Sequence, residues 1–399
     1  MRVLALIGTR PEAIKMAPVV RALQARPDRF SRVSVCLSGQ HRELTDEVVR
    51  RFSLPVDYDL NLMRPGQTPE DVLAAGLRGI GEVLRTEQPD YALFHGDTVT
   101  ALAAALAAFY ARIPSAHVEA GLRTGTLTRP FPEEMHRTVA DRICSFCYAP
   151  TPQARSHLER EGIPSDRILV TGNTVVDAIR LAIRIASEEP WPEELAAAGI
   201  EDRKVVVLTA HRREHFGAPL RRILGAADRL ARAHRDCCFL FPAHPNPEVR
   251  RAVSDALGAD SPVHVIPPLE YGVFARLLQR AALILTDSGG IQEEASVLGV
   301  PFVVLREATE RPEALSDGLG CLAGTDPDRI IEAAERLLGA PRQPNKMGNT
   351  PLGDGRAAER IAAHLAGEEV APWTPPSAGE TGAGENHQGI YQAGDRNNG

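Results

Sequence analysis

Three acidic residues, Asp97, Glu119 and Glu133, each lie in a short polar motif that interrupts apolar α/β sequence. The motifs are HGDTVT at 95–100, HVEAGLRTG at 117–125 and RPFPEEMHR at 129–137. Open α/β sheets bind ligands at the carboxyl ends of their strands. Carboxylates collected there suit proton transfer when burial and mutual repulsion raise at least one pKa toward neutrality. The spacing therefore predicts an acid–base site built from three separate loops.

The same three acids also fit a purely structural interpretation. Asp favours helix N-caps and acidic residues favour the first helical turn, so each of the three could simply begin a helix. His95 and His117 each stand two residues before an acid, and capping requires no such histidine. The repeated pairing favours the acid–base interpretation.

A second motif, TDSGGIQEEASVLGVP at 286–301, predicts an anion site in the other half of the chain. It places Ser288, Gly289 and Gly290 where a strand passes into a helix, and exposed N–H groups and the helix dipole there would receive a pyrophosphate. Glu294 follows one turn later, where a carboxylate can accept the hydroxyls of a ribose. The alternative is a glycine-rich helix start with a solvated glutamate.

Further basic and imidazole side chains follow other apolar runs. GTRPEAIKMAP at 8–18 opens a helix after the first strand, which makes an anion site there with two basic residues, although both could be ordinary surface charges. This motif is neither a G-x-G-x-x-G nor a Walker loop. The candidate ligand-binding residues outside the two motifs above are Arg10, Lys15, His211, His244 and Arg311.

Short β-rich runs alternate with helical patterns along the whole chain, which predicts parallel sheets covered by helices on both faces. Two series of runs predict an α/β fold with two doubly wound, Rossmann-like domains and a site in the cleft between them. The predicted strands are Val3–Ile7, Val33–Leu37, Tyr91–Phe94, Ser145–Ala149, Ile168–Thr171, Val205–Leu208, Cys238–Phe241, Val263–Ile266, Leu283–Leu285 and Phe302–Leu305.

The expected domain limits follow from these series and from a change of composition near the end. Residues 1–171 form the N-terminal domain with the acids, and residues 172–355 form the C-terminal domain with the anion site. A last amphipathic helix at 356–366 returns to the first domain. Residues 367–399 are rich in Gly, Pro, Asn and Glu, so we expect them to be disordered.

Composition excludes several functional classes. The 399 residues carry 45 basic and 52 acidic side chains, a net charge of −7, and no basic stripe that would indicate nucleic acid. The first residues, MRVLALIGTRPE, are too short an apolar run for a secretory signal or a membrane span, so a cytoplasmic protein is expected. Cys144 and Cys147 have C-x-x-C spacing, but no second pair or nearby histidine supports zinc or redox chemistry.

Eight motifs in one order carry a family resemblance up to about residue 366. They are GTRPEAIKMAP, HGDT, HVEAGLRTG, PEE, TGNTVVDA, HRRE, DSGGIQEE and TERPEA. In this order they resemble the non-hydrolysing UDP-N-acetylglucosamine 2-epimerases. Several positions depart from the commoner pattern; among them, His136 stands where the family often has Asn, and His215 replaces Asn or Ser after HRRE.

The resemblance implies a cofactor-free, metal-free interconversion of UDP-N-acetylglucosamine (UDP-GlcNAc) and UDP-N-acetylmannosamine (UDP-ManNAc) on a GT-B-like fold, usually in a homodimer. It implies catalytic roles for Asp97, Glu119 and Glu133, with His211 beside them. It also implies a place beside the uracil for Phe274. The remaining implied UDP-sugar contacts are Arg10, Lys15, Ser288, Gly289, Gly290, Glu294 and Arg311.

The implied chemistry is elimination of UDP to a 2-acetamidoglucal followed by re-addition, since the C2 hydrogen becomes acidic only as the C1–O bond breaks. Three alternatives stay open as enzymes: an epimerase of a related UDP-sugar, a hydrolysing variant that releases N-acetylmannosamine, and a GT-B glycosyltransferase. A non-catalytic UDP-sugar sensor is a fourth. The glycosyltransferase leaves the three acids unexplained, and a sensor would be expected to lose at least one of them.

Overall fold

The computed structural model describes residues 1–39, 42–64, 66–212, 215–243, 246–309, 311–315, 318–340 and 350–376; nothing is stated for the side chains of 42–44 and 312–313. These residues form two parallel β-sheets, one from each half of the chain, with helices packed on their faces. The predicted α/β fold with two doubly wound sheets is confirmed.

The first sheet has seven parallel strands in the order β3-β2-β1-β4-β5-β6-β7. Its central strands are almost wholly buried and rich in Val, Leu and Ala, as expected of a sheet covered on both faces. The strands are β1 Arg2–Ile7, β2 Arg32–Leu37, β3 Val56–Asp59, β4 Tyr91–His95, β5 Ser115–Val118, β6 Phe146–Ala149 and β7 Ile168–Val170.

The second sheet has six parallel strands in the order β10-β9-β8-β11-β12-β13. In both sheets the strand order reverses beside the first strand of the series, so the loops after β1 and β4, and after β8 and β11, open a crevice at the carboxyl ends. The strands are β8 Lys204–Thr209, β9 Cys237–Pro242, β10 Val263–Ile266, β11 Ala281–Thr286, β12 Phe302–Val304 and β13 Gly320–Leu322.

Fourteen α-helices connect and cover the strands in the described part of the chain. The helices are α1 Arg10–Gln24, α2 Arg42–Arg51, α3 Pro69–Glu87, α4 Val99–Ala111, α5 Glu133–Ile143, α6 Pro152–Arg160, α7 Thr174–Ala186, α8 Glu193–Ala197, α9 Ala218–Ala233, α10 Pro247–Ala256, α11 Tyr271–Arg280, α12 Gly289–Leu298, α13 Pro327–Gly339 and α14 Ala357–Leu365.

Each predicted strand lies within or overlaps an observed one, but three observed strands were not among those predicted: the buried β5 and the edge strands β3 and β13. β3 and β13 lie at the edges of their sheets, and each pairs with a single neighbour. Their side chains are mostly exposed or half-buried. Because neither strand is an apolar run, the pattern that marks the buried strands was missing.

The helix α14 packs against α1 and α7, on the first half of the molecule. Asp177 in α7 accepts hydrogen bonds from the backbone N–H groups of Ala357 and Ala358, at 3.3 and 3.0 Å, which fixes the beginning of α14. The amphipathic helix expected at 356–366 corresponds to α14, and its assignment to the first domain stays a prediction.

The segment after α14 differs from the expectation that disorder begins at residue 367. Trp373 is only 5% exposed and packs in the core of the first sheet. Its N–H donates to the carbonyl of Val170, the last residue of β7, at 2.8 Å. A single tryptophan buries enough apolar surface to hold ten residues whose composition otherwise indicates disorder. Residues 377–399 lie outside the described chain.

A search of the described helices for one long and apolar enough to cross a membrane found none.

Candidate active site

A cavity of about 470 Å³ lies between the two sheets, at the carboxyl ends of their strands. It brings together most of the residues singled out in the sequence: Arg10, Lys15, Asp97, Glu119, His211, Phe274, Ser288, Gly289, Gly290, Glu294 and Arg311. Glu133 does not line this cavity, and His244 lies outside the described residues.

Glu119 follows β5 directly and has a left-handed backbone conformation, with φ of +71°. Such a conformation is strained for a residue with a side chain and is concentrated at functional sites. The backbone N–H groups of Glu119 and Ala120 both donate to the carbonyl of Tyr148 at 3.1 Å, which holds the turn. The strained turn lets the carboxylate enter the cavity.

The carboxylate of Glu119 accepts hydrogen bonds from two side chains, and a third side chain lies close to it. Lys15 Nζ donates to Glu119 Oε2, and Asn173 Nδ2 donates to the same oxygen at 3.0 Å. His95 Nε2 lies 3.7 Å from it. Burial favours the neutral acid, but the Lys15 ammonium outweighs burial and holds the pKa of Glu119 well below its usual range.

Lys15 joins the two halves of the molecule. Its ammonium contacts Glu119 from the first half and Glu293 Oε2 of α12, at 3.1 Å, from the second. Arg311 Nε lies 2.7 Å from the other oxygen of Glu293. Burial opposes the charged ammonium, yet the two carboxylates win and raise the pKa of Lys15. The cleft is therefore bridged by a buried ion network.

Asp97 sits at the mouth of the cavity, with its side chain 33% exposed. Arg137 Nη2 lies 2.6 Å from its carboxylate. His136, the residue that departs from the family pattern, has Nδ1 2.9 Å from the carbonyl oxygen of Asp97 and so supports the loop rather than the carboxylate.

Glu133 is the first residue of α5 and is half-buried. Its neighbour Glu134 is the buried one of the pair, and Oε1 of Glu134 accepts the N–H groups of Thr124 and Gly125 at 2.9 and 3.1 Å. Glu134 thus fixes the loop after Glu119. The expected catalytic role of Glu133 stays a prediction.

His117 has a structural role, although the sequence offered it as a titratable group beside the site. It is fully buried, with Nδ1 2.5 Å from Asp141 Oδ1 and Nε2 2.7 Å from the carbonyl of Gly96. Burial opposes its charged form, but Asp141 outweighs burial and raises the pKa of His117. The histidine links α5 to the loop after β4, which carries Asp97, and Asp141 also accepts the N–H of Gly121 in the loop that begins with Glu119.

In the second half, buried Asp287 organises the loop after β8. Its Oδ2 accepts the backbone N–H groups of His211 and Arg212, each at 3.0 Å, and lies 3.0 Å from His215 Nδ1. Burial would raise the pKa of Asp287, but His215 and His211 with these N–H groups lower it. The loop places the imidazole of His211, 49% exposed, at the cavity.

The helix α12 points its N-terminus into the cavity. Its N-cap, Ser288, uses no side-chain capping hydrogen bond, so the first-turn N–H groups are open to an anion. A Cβ added at Gly290 would meet no atom within 4 Å. Glu294 accepts from the hydroxyl of Tyr271 at 3.0 Å, and burial raises the pKa of Glu294 to about 7.

Among the buried cavity residues that were not predicted site residues are Glu12, Tyr271 and Glu293. Glu12 accepts the N–H of Thr9 at 2.8 Å and the hydroxyl of Thr98. Glu293 stands beside Glu294 in DSGGIQEE, so the motif contained it, but only the fold shows that one carboxylate faces Tyr271 and the other faces Lys15.

The two sheets, with a shared cleft at the carboxyl ends of their strands, define a two-domain α/β protein of the GT-B-like class. One wall of the cleft carries the carboxylates of Asp97 and Glu119, and the other carries the N-terminus of α12 without a side-chain cap. Among the described residues no group of three or more His, Cys, Asp or Glu side chains is arranged to hold a metal.

The sequence model described as UDP-N-acetylglucosamine 2-epimerase matches residues 21–366. The UDP-N-acetylglucosamine 2-epimerase of Escherichia coli K12 is 46% identical over 377 residues, covering 93% of this chain and 100% of the relative. That of Bacillus subtilis is 42% identical and covers 92% and 95%. The chain belongs to the UDP-N-acetylglucosamine 2-epimerase family, as its motifs predicted.

Solved structures of UDP-N-acetylglucosamine 2-epimerases have the same fold as this chain. The Neisseria meningitidis UDP-GlcNAc 2-epimerase bound to UDP-GlcNAc superposes with a TM-score of 0.81 at 40% identity, covering 92% of this chain and 100% of that one. A 2-epimerase structure from Listeria monocytogenes gives a TM-score of 0.82 at 38% identity, covering 92% and 97%.

Proposed function

We propose that this protein interconverts UDP-GlcNAc and UDP-ManNAc by eliminating UDP and adding it back, without releasing the sugar. One observation carries the proposal: buried carboxylates and an anion-binding helix N-terminus face each other across a single cavity. The names of its relatives, one of them bound to UDP-GlcNAc, support the choice of sugar nucleotide.

The chemistry requires both walls. As the C1–O bond breaks, its electron pair leaves with the β-phosphate of UDP, and positive character at C1 acidifies the C2 hydrogen. One carboxylate removes that proton, and the C2–H electrons form the C1=C2 bond of 2-acetamidoglucal. Re-addition of UDP to C1, with a proton delivered to the opposite face of C2, gives the epimer.

The second wall provides the diphosphate site. Open N–H groups at the start of α12, with His211 and Arg311 of the same half and Arg10 from α1 across the cavity, complement the charge that UDP gains on leaving. UDP held there stays available for re-addition. The partly exposed Asp97 and the buried Glu119, which lie on different loops of the first half, suit proton transfer from different sides of the sugar.

The proposal is tested by incubating the purified protein with UDP-GlcNAc in D2O, without an acceptor, and following the products by NMR. Deuterium at C2 of a manno-configured UDP-sugar is expected. Free N-acetylmannosamine and UDP would instead indicate the hydrolysing reaction, and the absence of any C2 inversion would contradict an epimerase.

Two finer points belong to the same proposal. The reaction is non-hydrolysing, and the protein works as a homodimer, as the motif resemblance implies. Light scattering coupled to gel filtration should give twice the chain mass of 43.1 kDa, and a single-chain mass would refute the dimer.

A further inference from the structure

His95 is a buried histidine without a hydrogen-bond partner. It is the last residue of β4, and its side chain is only 5% exposed. Neither Nδ1 nor Nε2 has a partner within the ranges that the structure describes. A buried polar group left unpaired carries a desolvation cost, so such groups are few in native proteins and a catalytic role is one of the reasons that retain them.

The neighbouring strand offers an internal comparison. His117 in β5 is also buried, and both of its ring nitrogens have fixed partners, Asp141 and the carbonyl of Gly96. The folded chain thus satisfies a buried imidazole where the role is structural. His95 instead lines the catalytic cavity, with Nε2 3.7 Å from Glu119 Oε2.

Glu119 needs a neighbour that can take its proton. Lys15 and Asn173 both donate to its carboxylate, which stabilises the ionised form and makes a proton on Glu119 short-lived. Neither an ammonium nor an amide N–H can accept that proton. His95 is the adjacent group with a basic nitrogen.

The charged groups around His95 suit a transient imidazolium. Glu119 approaches it from the loop after β5, and Glu12 in α1 interacts with it electrostatically. Lys15, also in α1, is the opposing cation and contacts Glu119 directly. The Glu119 carboxylate is therefore placed to stabilise a positive charge on the ring.

We propose that His95 is the proton relay of Glu119, an inference that rests on the epimerase function proposed above. When Glu119 takes the C2 proton, the Glu119 O–H bond breaks as the lone pair of His95 Nε2 forms an N–H bond. Glu119 returns to carboxylate and His95 becomes imidazolium. In the reverse direction His95 returns the proton to Glu119.

The separation of 3.7 Å is longer than a hydrogen bond. Catalytic contacts are often long without substrate and shorten in the Michaelis complex. His95 acts through Glu119, so it is a positioning residue rather than a group that touches the sugar.

The experiment begins with wild-type protein, UDP-GlcNAc and D2O. C2 inversion with deuterium incorporation establishes the proposed function; without it that function fails, whatever His95 does. In H95Q, kcat should then fall by about 100-fold, at the lower end of the range for acid–base groups, while UDP affinity by calorimetry stays within about twofold. Near-normal kcat in H95Q overturns the relay, and so does an equal loss of UDP affinity.

Chemical rescue separates proton transfer from space filling. In H95A, added imidazole should restore kcat in proportion to its free base, whereas pyrazole, a ring of similar size and far weaker basicity, should not. Equal rescue by both rings, or none in a folded H95A that binds UDP, overturns the proposal.

The matched control is H157Q: His157 lies on α6, bonds the carbonyl of Gly121 at 3.0 Å and does not line the cavity. Its kcat should be unchanged.

Discussion

The two walls of the cavity differ in the groups that they present. The wall from the first half holds a buried ion pair. The wall from the second half presents backbone N–H groups and a carboxyl group with a raised pKa. On the first wall, Lys15 and Glu119 neutralise each other. On the second, Ser288 and Gly290 lie at an uncapped helix start, and burial raises the pKa of Glu294 to about 7.

The difference follows from what each wall is proposed to do. Proton transfer needs groups held at defined positions, and the buried carboxylate of Glu119 has the ammonium of Lys15 close by. Diphosphate binding needs donors without a competing anion. The exceptions are Glu293 and Arg311, which reach across to Lys15 and bind the walls together.

The largest expected effect comes from amide replacements on the first wall. D97N, E119Q and E133Q keep shape and hydrogen bonding but remove proton transfer, so each should lower kcat by about 10²- to 10⁴-fold. UDP affinity, set by the second wall, should change little. Coupled kinetics and calorimetry with UDP provide both numbers.

Near-normal rates in all three amide variants would refute the assignment of the acids. E133Q is the most informative of them, because Glu133 is half-buried and does not line the cavity. A normal rate in E133Q alone would leave proton transfer to Asp97 and Glu119.

The next effect concerns the stability of the first half. The composition of residues 371–399 suggested that deleting them would change nothing, but Trp373 packs in the core beside β7. Deletion of 371–399 should therefore lower the free energy of unfolding by about 3 kcal/mol, the cost of losing a buried tryptophan. The matched deletion of 377–399 should cost almost nothing. Equal melting temperatures for the two truncations would show that Trp373 does not contribute.

Glycine replacements contrast the two walls directly. A Cβ at Gly290 meets nothing within 4 Å, so G290A should fold normally yet place a methyl group where the diphosphate approaches. UDP affinity should fall by about tenfold, equivalent to about 1.4 kcal/mol. A Cβ at Gly8 would lie 2.3 Å from Thr100 Oγ1, so G8A should instead lose about 1–3 kcal/mol of stability. Unchanged UDP affinity in G290A would show that the diphosphate does not bind at the N-terminus of α12.

The smallest effect is the pH dependence of UDP binding. Burial raises the pKa of Glu294 to about 7, so its carboxyl is protonated below that pH and ionised above it. Ribose hydroxyls donate more strongly to the ionised form, and UDP affinity should rise about fivefold between pH 6 and pH 8. The glutamine in E294Q cannot titrate, so the pH dependence that remains in this variant comes from UDP and the other groups of the site. If UDP affinity changes with pH in the same way in wild type and E294Q, Glu294 does not bind the ribose.

Much of this protein could be predicted from particular stretches of sequence. Apolar runs such as Val205–Leu208 predicted buried strands because parallel strands covered on both faces must be continuously apolar. The edge strands β3 and β13 lacked that pattern. Trp373 was overlooked because the composition of a whole segment conceals the burial of one large side chain.

The sequence by itself determined the two parallel sheets, the family and most of the cavity residues, because local motifs at strand ends specify both backbone turns and chemistry. Only the tertiary structure decided which role each of two residues of the same type has. It separated His95, unpaired in the cavity, from His117, bonded to Asp141. It likewise placed Glu293 on Lys15 and Glu294 on Tyr271. Burial and partners arise from contacts between distant segments, and a residue's type cannot reveal them.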